Sequence, residues 1–122
     1  MDKALGFLGI CRRAGKLLIG EDGVSGAARS GEARLVMVAS DTASNTRKKA
    51  GNLGRWYDIP VISLPWDKDT LGELLDKRVC AILALTDKGL AAAFLEKLAA
   101  AHPGYGVPEA AERETGKGRI KE

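Results

Sequence analysis

Residues 16–46 read KLLIGEDGVSGAARSGEARLVMVASDTASNT, and this stretch decides the fold of the 122-residue chain. It predicts a short apolar strand over 17–19, a glycine-bounded helix over 21–30 and a second strand over 35–39. The second strand is apolar at every position, so both of its faces must be covered by other elements. The stretch therefore predicts a central strand in a layered α/β domain.

The rest of the chain continues the alternation of helix and strand. Asp2 is expected to cap a first amphipathic helix, and the spacing of Thr70 and Glu73 is typical of a capping box. Thr86 or Asp87 then caps a final helix. Residues 43–57 show a helical pattern, and residues 61–63 and 81–85 show strand patterns. This order predicts an α/β fold, a three-layer α/β/α sandwich around a mixed sheet of about four strands.

Length and composition predict a single domain over residues 1–102. Residues 103–122 contain almost no large apolar side chains, which predicts a disordered C-terminal tail. Cys11 and Cys80 lie within apolar patterns, without the close spacing of a metal or redox motif, so we expect reduced core thiols. No apolar run reaches the ~20 residues needed to cross a bilayer. We therefore expect a monomeric, cytoplasmic protein without membrane segments.

The charge of the chain is nearly balanced, with 19 Lys and Arg against 16 Asp and Glu and a net charge of +3. So small a net charge produces no strong long-range field, and a site for a polyanion must be local. Basic residues do form two groups without an intervening acid, Arg12, Arg13 and Lys16 in one, and Arg47, Lys48, Lys49 and Arg55 in the other. Each group fits a solvated helix face as well as it fits an anion-binding surface.

Hydrogen-bonding side chains crowd the end of the predicted central strand. They are Ser40, Asp41, Thr42, Ser44, Asn45 and Thr46. Ligands of open α/β sheets usually bind at this position, although Asn45 and Thr46 fit equally well as helix caps. No residue pair resembles an activated nucleophile or a tuned acid and base, and no metal-ligand or dinucleotide-binding spacing is present. We expect no catalysis, no cofactor and no metal.

Three segments in this order resemble one family: LGFLGICRRAGKLLIGEDGV at 5–24, ARLVMVASDTASNT at 33–46, and YDIPVISLPWDKDTLGELLDKRVCAILALTDKGLAAAFL at 57–95. They are similar to the kink-turn-binding ribosomal proteins of the L7Ae and L30e type, and within them to the bacterial YlxQ-like branch. The resemblance implies an α/β/α domain of ribonucleoproteins and the translation machinery. Such a domain binds a sharply bent, internally looped RNA without catalysis.

The resemblance also implies two RNA-contacting regions. The start of the second helix would reach tandem sheared G·A pairs, which places the first region on Gly20, Glu21, Asp22, Gly23 and Gly26. A loop before the last strand would hold an extruded nucleotide, which places the second on Asp76, Lys77, Arg78 and Val79. The chain departs from archaeal and eukaryotic members, which usually have an Asn-Glu pair at positions 22 and 23 and a Lys at position 26.

Physical chemistry gives each region a role. Amide N–H groups in a first helical turn attract anions, and the carboxylates of Glu21 and Asp22 can accept from the N1 and N2 donors of a guanine. Acids at this position are also favoured by the helix dipole alone. Other side chains are expected to contact phosphate or an unpaired base at the same edge of the domain. They are Lys16, Asn45, Thr46, Lys48, Lys49, Lys77 and Arg78.

The alternative function is a protein-interaction module on the same fold. In that interpretation Gly23 and Gly26 indicate lost RNA contacts, and Trp56, Tyr57 or Trp66 form a partner surface. An exposed aromatic patch without adjoining positive charge would favour it. Trp66 by itself fits either a lid on the core or a surface stacking platform, and the lid is favoured because tryptophans usually bury much of their area.

Overall fold

The structure is a computed structural model that describes residues 2–77 and 79–106. Helices and strands alternate along the chain as the sequence predicts. The order is α1 (Lys3–Arg13), β1 (Leu17–Ile19), α2 (Glu21–Ser30), β2 (Leu35–Val38), α3 (Ser44–Tyr57), β3 (Val61–Ser63), α4 (Lys68–Leu74), β4 (Ile82–Leu85) and α5 (Lys88–Ala101).

The four strands form one mixed sheet in the order β1-β4-β2-β3. β2 pairs parallel with β3 and antiparallel with β4, and β1 pairs antiparallel with β4. All four residues of β2 are buried, so the prediction of a central, doubly covered strand is confirmed. Because β1, β2 and β3 run in one direction, their carboxyl ends share one edge of the sheet.

Helices cover both faces of the sheet, and alternate residues of β2 pack into two different cores. Leu35 and Met37 belong to a core with α1, α4 and α5, whereas Val36 and Val38 belong to a second core with α2 and α3. Successive side chains of a strand point to opposite faces, so one apolar strand serves both cores. The predicted α/β/α sandwich is confirmed.

The helix ends follow local signals, with one correction. Asp2 caps α1 by accepting from two backbone amides, and Asp87 caps α5 by accepting from the amide of Leu90 at 2.8 Å. The expected capping box at Thr70 and Glu73 is wrong, because α4 begins one turn earlier. Asp67 is its N-cap and accepts from the amide of Thr70 at 2.7 Å.

Trp66 covers the end of the α1/α4/α5 core. It is partly buried, its ring centroid lies 6.4 Å from that of Phe94, and the edge of His102 approaches it at 5.5 Å between centroids. His102 in turn donates from Nε2 to the carboxylate of Asp2. Trp66 is therefore a lid on the core rather than a surface stacking platform.

Both cysteines are buried free thiols, as the sequence predicts. Burial raises the pKa of Cys11, and it raises that of Cys80 to about 11, so neither is a ready nucleophile. Within the described ranges, no helix has the length and apolar character to cross a membrane. Most of the expected C-terminal tail, residues 107–122, lies outside the described part of the chain.

Candidate functional site

The carboxyl ends of β1, β2 and β3 meet the start of β4 at one edge of the sheet. Val38, at the end of β2, is paired with both Ser63 of β3 and Ile82 of β4. Gly20 follows β1 directly, and its amide donates to the carbonyl of Ile82 at 3.0 Å. We call this edge, together with the chain that leaves it, the strand-exit rim; it comprises residues 20–26, 39–49, 76–77 and 79–81.

The first turn of α2 lies on this rim without a side-chain cap. Gly20 is the N-cap of α2 and has a φ of 96°, which residues with a side chain rarely adopt. Because glycine has no side chain, it cannot accept a hydrogen bond from the amides of the first helical turn. The side chains of Glu21 and Asp22 are exposed beside these amides. The turn therefore offers N–H donors and carboxylate acceptors at adjacent positions.

Glu21 joins the start of α2 to the start of α3. Its carboxylate accepts from Thr46 Oγ1 at 3.2 Å and from Lys49 Nζ at 3.0 Å. The hydrogen bond and the charge of Lys49, with a smaller contribution from Thr46, lower the pKa of Glu21 below its ordinary 4.5. Glu21 is thus an ionised acceptor held in place. Thr46 and Asn45 do not cap α3, because its N-cap is Ala43, which provides no side-chain bond.

The loop before β4 lies between the ends of β1 and β2. The carbonyl of Ala81 accepts from the amide of Ala39 at 2.9 Å and from Thr42 Oγ1 at 3.0 Å. In the same loop Val79 is 53% exposed and Lys77 is exposed. The two regions expected to contact RNA therefore share the rim, apart from Arg78, which lies outside the described residues.

The basic residues of α3 have different surroundings. Arg47 turns inward, where its guanidinium donates to Ser63 Oγ and to the carbonyl of Ala39, so it ties α3 to the ends of β2 and β3. Lys49 pairs with Glu21, whereas Lys48 is exposed at the start of the helix. Arg55 donates to Asn52 Oδ1 near the helix end. The run is therefore neither a uniform solvated face nor a uniform anion site.

Lys16 does not reach the rim, and the expectation that it shares an edge with Gly20 is wrong. The carbonyl of Lys16 accepts from the amide of Thr86 at 2.9 Å, and Leu17 is paired with Leu85 at the far end of β4. Because β1 is extended, the four residues from Lys16 to Gly20 span roughly 13 Å. Lys16 therefore begins at the opposite edge of the sheet.

Positions 23 and 26 of α2 have space for side chains. A Cβ at Gly23 would lie 3.7 Å from Cβ of Leu18, an ordinary contact, and a Cβ at Gly26 would meet nothing within 4 Å. Neither glycine has a positive φ. The absence of side chains here is therefore not required by the fold, and it determines how closely a ligand can approach this face of α2.

Comparison with known proteins assigns the chain to one family. The model of the ribosomal protein L7Ae/L30e/S12e/Gadd45 family matches residues 2–94, and the chain belongs to this family. It is similar to the RNA-binding protein YlxQ of Bacillus subtilis (strain 168), with 34% identity over 85 residues that cover 70% of this chain and 84% of the relative.

A second relative and a solved structure agree with this assignment. The RNA-binding protein YlxQ of Enterococcus faecium is 37% identical over 62 residues, which cover 51% of this chain and 60% of that protein. A solved structure of a protein with unknown function from Bacillus halodurans C matches with a TM-score of 0.74 and 30% identity, covering 80% of this chain and 98% of that one.

Proposed function

We propose that this chain is a non-catalytic RNA-binding protein that uses the strand-exit rim to recognise structured RNA of the bent, internally looped kink-turn type. One observation carries the proposal: the first turn of α2, the start of α3 and the loop before β4 lie together at one sheet edge. Two relatives that bear the name RNA-binding protein support it.

The rim offers a separate group for each part of such an RNA. Ionised Glu21 and neighbouring Asp22 are acceptors for the N1–H and N2–H donors of a guanine in a sheared pair. The amides of the α2 first turn and the ammonium of Lys48 are donors for phosphate. Lys77 is exposed in the loop before β4, and we infer that it and Arg78, the next residue in the sequence, contact an unpaired base.

The proposal extends to the setting of the protein. We infer a monomer that acts in the cytoplasm on ribosomal or other kink-turn RNA, with residues 1–102 as the binding domain. The nearly balanced charge of the chain fits a local contact surface rather than general attraction to polyanions.

A protein-interaction module is the second candidate, and the surroundings of the aromatic residues favour it less. It requires an exposed aromatic patch away from positive charge. Trp56 is 81% exposed, but Arg55 lines the same groove, and Trp66 is occupied as a lid. These side chains do not form one apolar surface.

A gel-shift titration with a kink-turn hairpin and a straightened hairpin of the same composition tests the proposal. We expect preferential binding of the bent RNA that persists at moderate salt. Arg78→Ala should weaken this binding, whereas Cys11→Ser, a buried position away from the rim, should act only through stability. Equal weak binding to both hairpins that disappears in moderate salt would defeat the proposal.

A further inference from the structure

The outward face of α3 carries polar and cationic side chains along its whole length. Every residue between Ser44 and Tyr57 is neutral or basic, with no acid in the helix. The exposed positions are three and four residues apart, so they share one face. They are Ser44, Asn45, Lys48, Lys49, Asn52, Arg55 and Trp56. This face begins at the strand-exit rim and ends at the opposite edge of the sheet.

Trp56 ends this face in a position that contributes little to the folded core. It is 81% exposed, although a buried indole is among the most stabilising side chains a protein can have. A groove of about 500 Å³ adjoins it, lined by Asn52, Leu53, Arg55, Trp56 and Tyr57. Leu53 and Tyr57 pack against the α2/α3 core, so the floor of this groove is anchored.

The groups around the groove match an unpaired nucleotide. The indole of Trp56 offers a flat face for a base, and the Arg55 guanidinium offers charge for a phosphate. Asn52 accepts from Arg55 with its Oδ1, which holds the guanidinium and leaves the Asn52 amide group as a donor. A base must be unpaired to stack on a side chain in this way, so the ligand is single-stranded.

The groove also lies on a continuous path from the rim. Trp56 is twelve residues after Ser44, which places it about 18 Å along the helix axis. Lys48 and Arg55 lie between Ser44 and Trp56 on the same face of the helix. A strand that leaves the rim can therefore follow α3, with cations near its phosphates, and reach Trp56.

We propose that the exposed face of α3, ending at Trp56, binds an unpaired segment of the same RNA whose structured part is held at the strand-exit rim. The inference rests on the proposed function for the structured part. It adds a second contact surface, a single-stranded ligand and a stacking residue. We expect binding at this face to depend little on base sequence, because every base has a flat surface that can stack on an indole ring.

Tryptophan fluorescence can follow this contact directly. The chain has two tryptophans, so Trp66→Phe leaves Trp56 as the sole reporter. We would titrate this variant with the kink-turn hairpin alone and with the hairpin carrying an unpaired 5′ or 3′ tail of about eight nucleotides. We expect one of the tails to quench the Trp56 emission and to tighten binding about tenfold.

Three controls separate stacking from other effects. Trp56→Ala in the natural background should remove the advantage of the tail and leave affinity for the blunt hairpin unchanged. Ile10→Ala, which also removes an exposed apolar side chain but from α1, should keep that advantage. An abasic tail of the same length should lose the quench, because it retains phosphates without bases.

The outcomes distinguish this inference from the proposed function. Tailed RNA that binds Trp56→Ala as tightly as the parent, or an abasic tail that tightens binding as much as the natural one, would overturn the inference. A free single-stranded oligonucleotide should also quench Trp56, more weakly. If it does so while bent and straight hairpins bind alike, the proposed function fails and the α3 contact stands.

Discussion

Lys49 and Glu21 lie on different helices, yet the ammonium nitrogen of one is 3.0 Å from a carboxylate oxygen of the other. Both side chains are largely exposed, so the pair contributes little to stability. Its effect is on the charge of the rim. The charge of Lys49 is already compensated by Glu21 in the free protein. Lys48, the preceding residue, is exposed at the same helix start.

This difference predicts unequal salt dependence for two neighbouring lysines. Lys48→Ala should weaken RNA binding and lower the slope of log K against log salt concentration by roughly 0.7–0.9, the value for one lost phosphate contact. Lys49→Ala should change the slope less, because Glu21 already compensates its charge. Filter binding across a salt series measures both slopes, and equal losses would contradict the assignment.

The proposed recognition of bent RNA predicts that side chains introduced on α2 will strengthen it. Gly26→Lys adds a cation where the structure has open space, and we expect about tenfold tighter binding of the kink-turn hairpin at low salt. Adding Asp22→Asn and Gly23→Glu, the pair usual in archaeal and eukaryotic members, should increase the preference over the straightened hairpin. Gly26→Glu is the matched control, with the same gain in helix propensity and the opposite charge. Improvement by both substitutions at position 26 would reject a phosphate contact there.

Helices and strands whose bounds are set by local sequence patterns could be predicted from the sequence. The bounds of α2 follow from Gly20 and Gly31, and the central position of β2 follows from its unbroken apolar pattern. Helices that leave parallel strands begin at one edge of the sheet, which explains why α2 and α3 start close together. The loop before β4 was placed beside them by the family resemblance, not by periodicity.

Features that depend on tertiary register could not be predicted. Lys16 and Gly20 are close in the chain, yet the pairing of Leu17 with Leu85 places them at opposite edges. Arg47 belongs to a basic run, and only the fold shows that it turns toward Ser63. Asn52, which lines the groove that we propose binds unpaired RNA, was not predicted from the sequence, although its spacing of four residues from Lys48 was a usable signal.

The packing of α3 on the sheet depends on Gly54. A Cβ at this position would lie 2.4 Å from Cγ2 of Val61 and 2.8 Å from the carbonyl oxygen of Ile59. Gly54→Ala should therefore destabilise the fold by about 1–3 kcal/mol, because helix and strand must separate. Gly51→Ala, whose Cβ would meet only the Arg55 side chain at 3.6 Å, should instead stabilise α3 by about 0.5–1 kcal/mol. Urea denaturation of the two variants measures the contrast, and similar stabilities would contradict the packing.

The contact between Asp2 and His102 joins the first and last helices and predicts a change of stability in acid. Burial raises the pKa of Asp2, but bonds from His102 and from the amides of Leu5 and Ala4 outweigh burial and lower it below 3.8. A carboxyl group whose pKa is lowered by folding stabilises the fold when the pH is above its pKa in the unfolded chain. This contribution is lost as the pH falls through its pKa in the folded chain. Asp2→Ala should cost about 1–2 kcal/mol at neutral pH, for the cap and the His102 bond together.

Two further variants separate the cap from the histidine contact. Asp2→Asn keeps a capping oxygen and loses the charge, so it should cost less than Asp2→Ala at neutral pH. His102→Ala keeps the cap and loses the partner. The free energy of unfolding, measured in urea from neutral pH to about pH 2, should show the gap between parent and Asp2→Asn narrowing below pH ~4, where the carboxyl group of the unfolded chain becomes protonated. The gap should close once the pH is below the lowered pKa of the folded chain. A gap that stays constant over this range would show that the charge of Asp2 does not contribute to the stability of the fold.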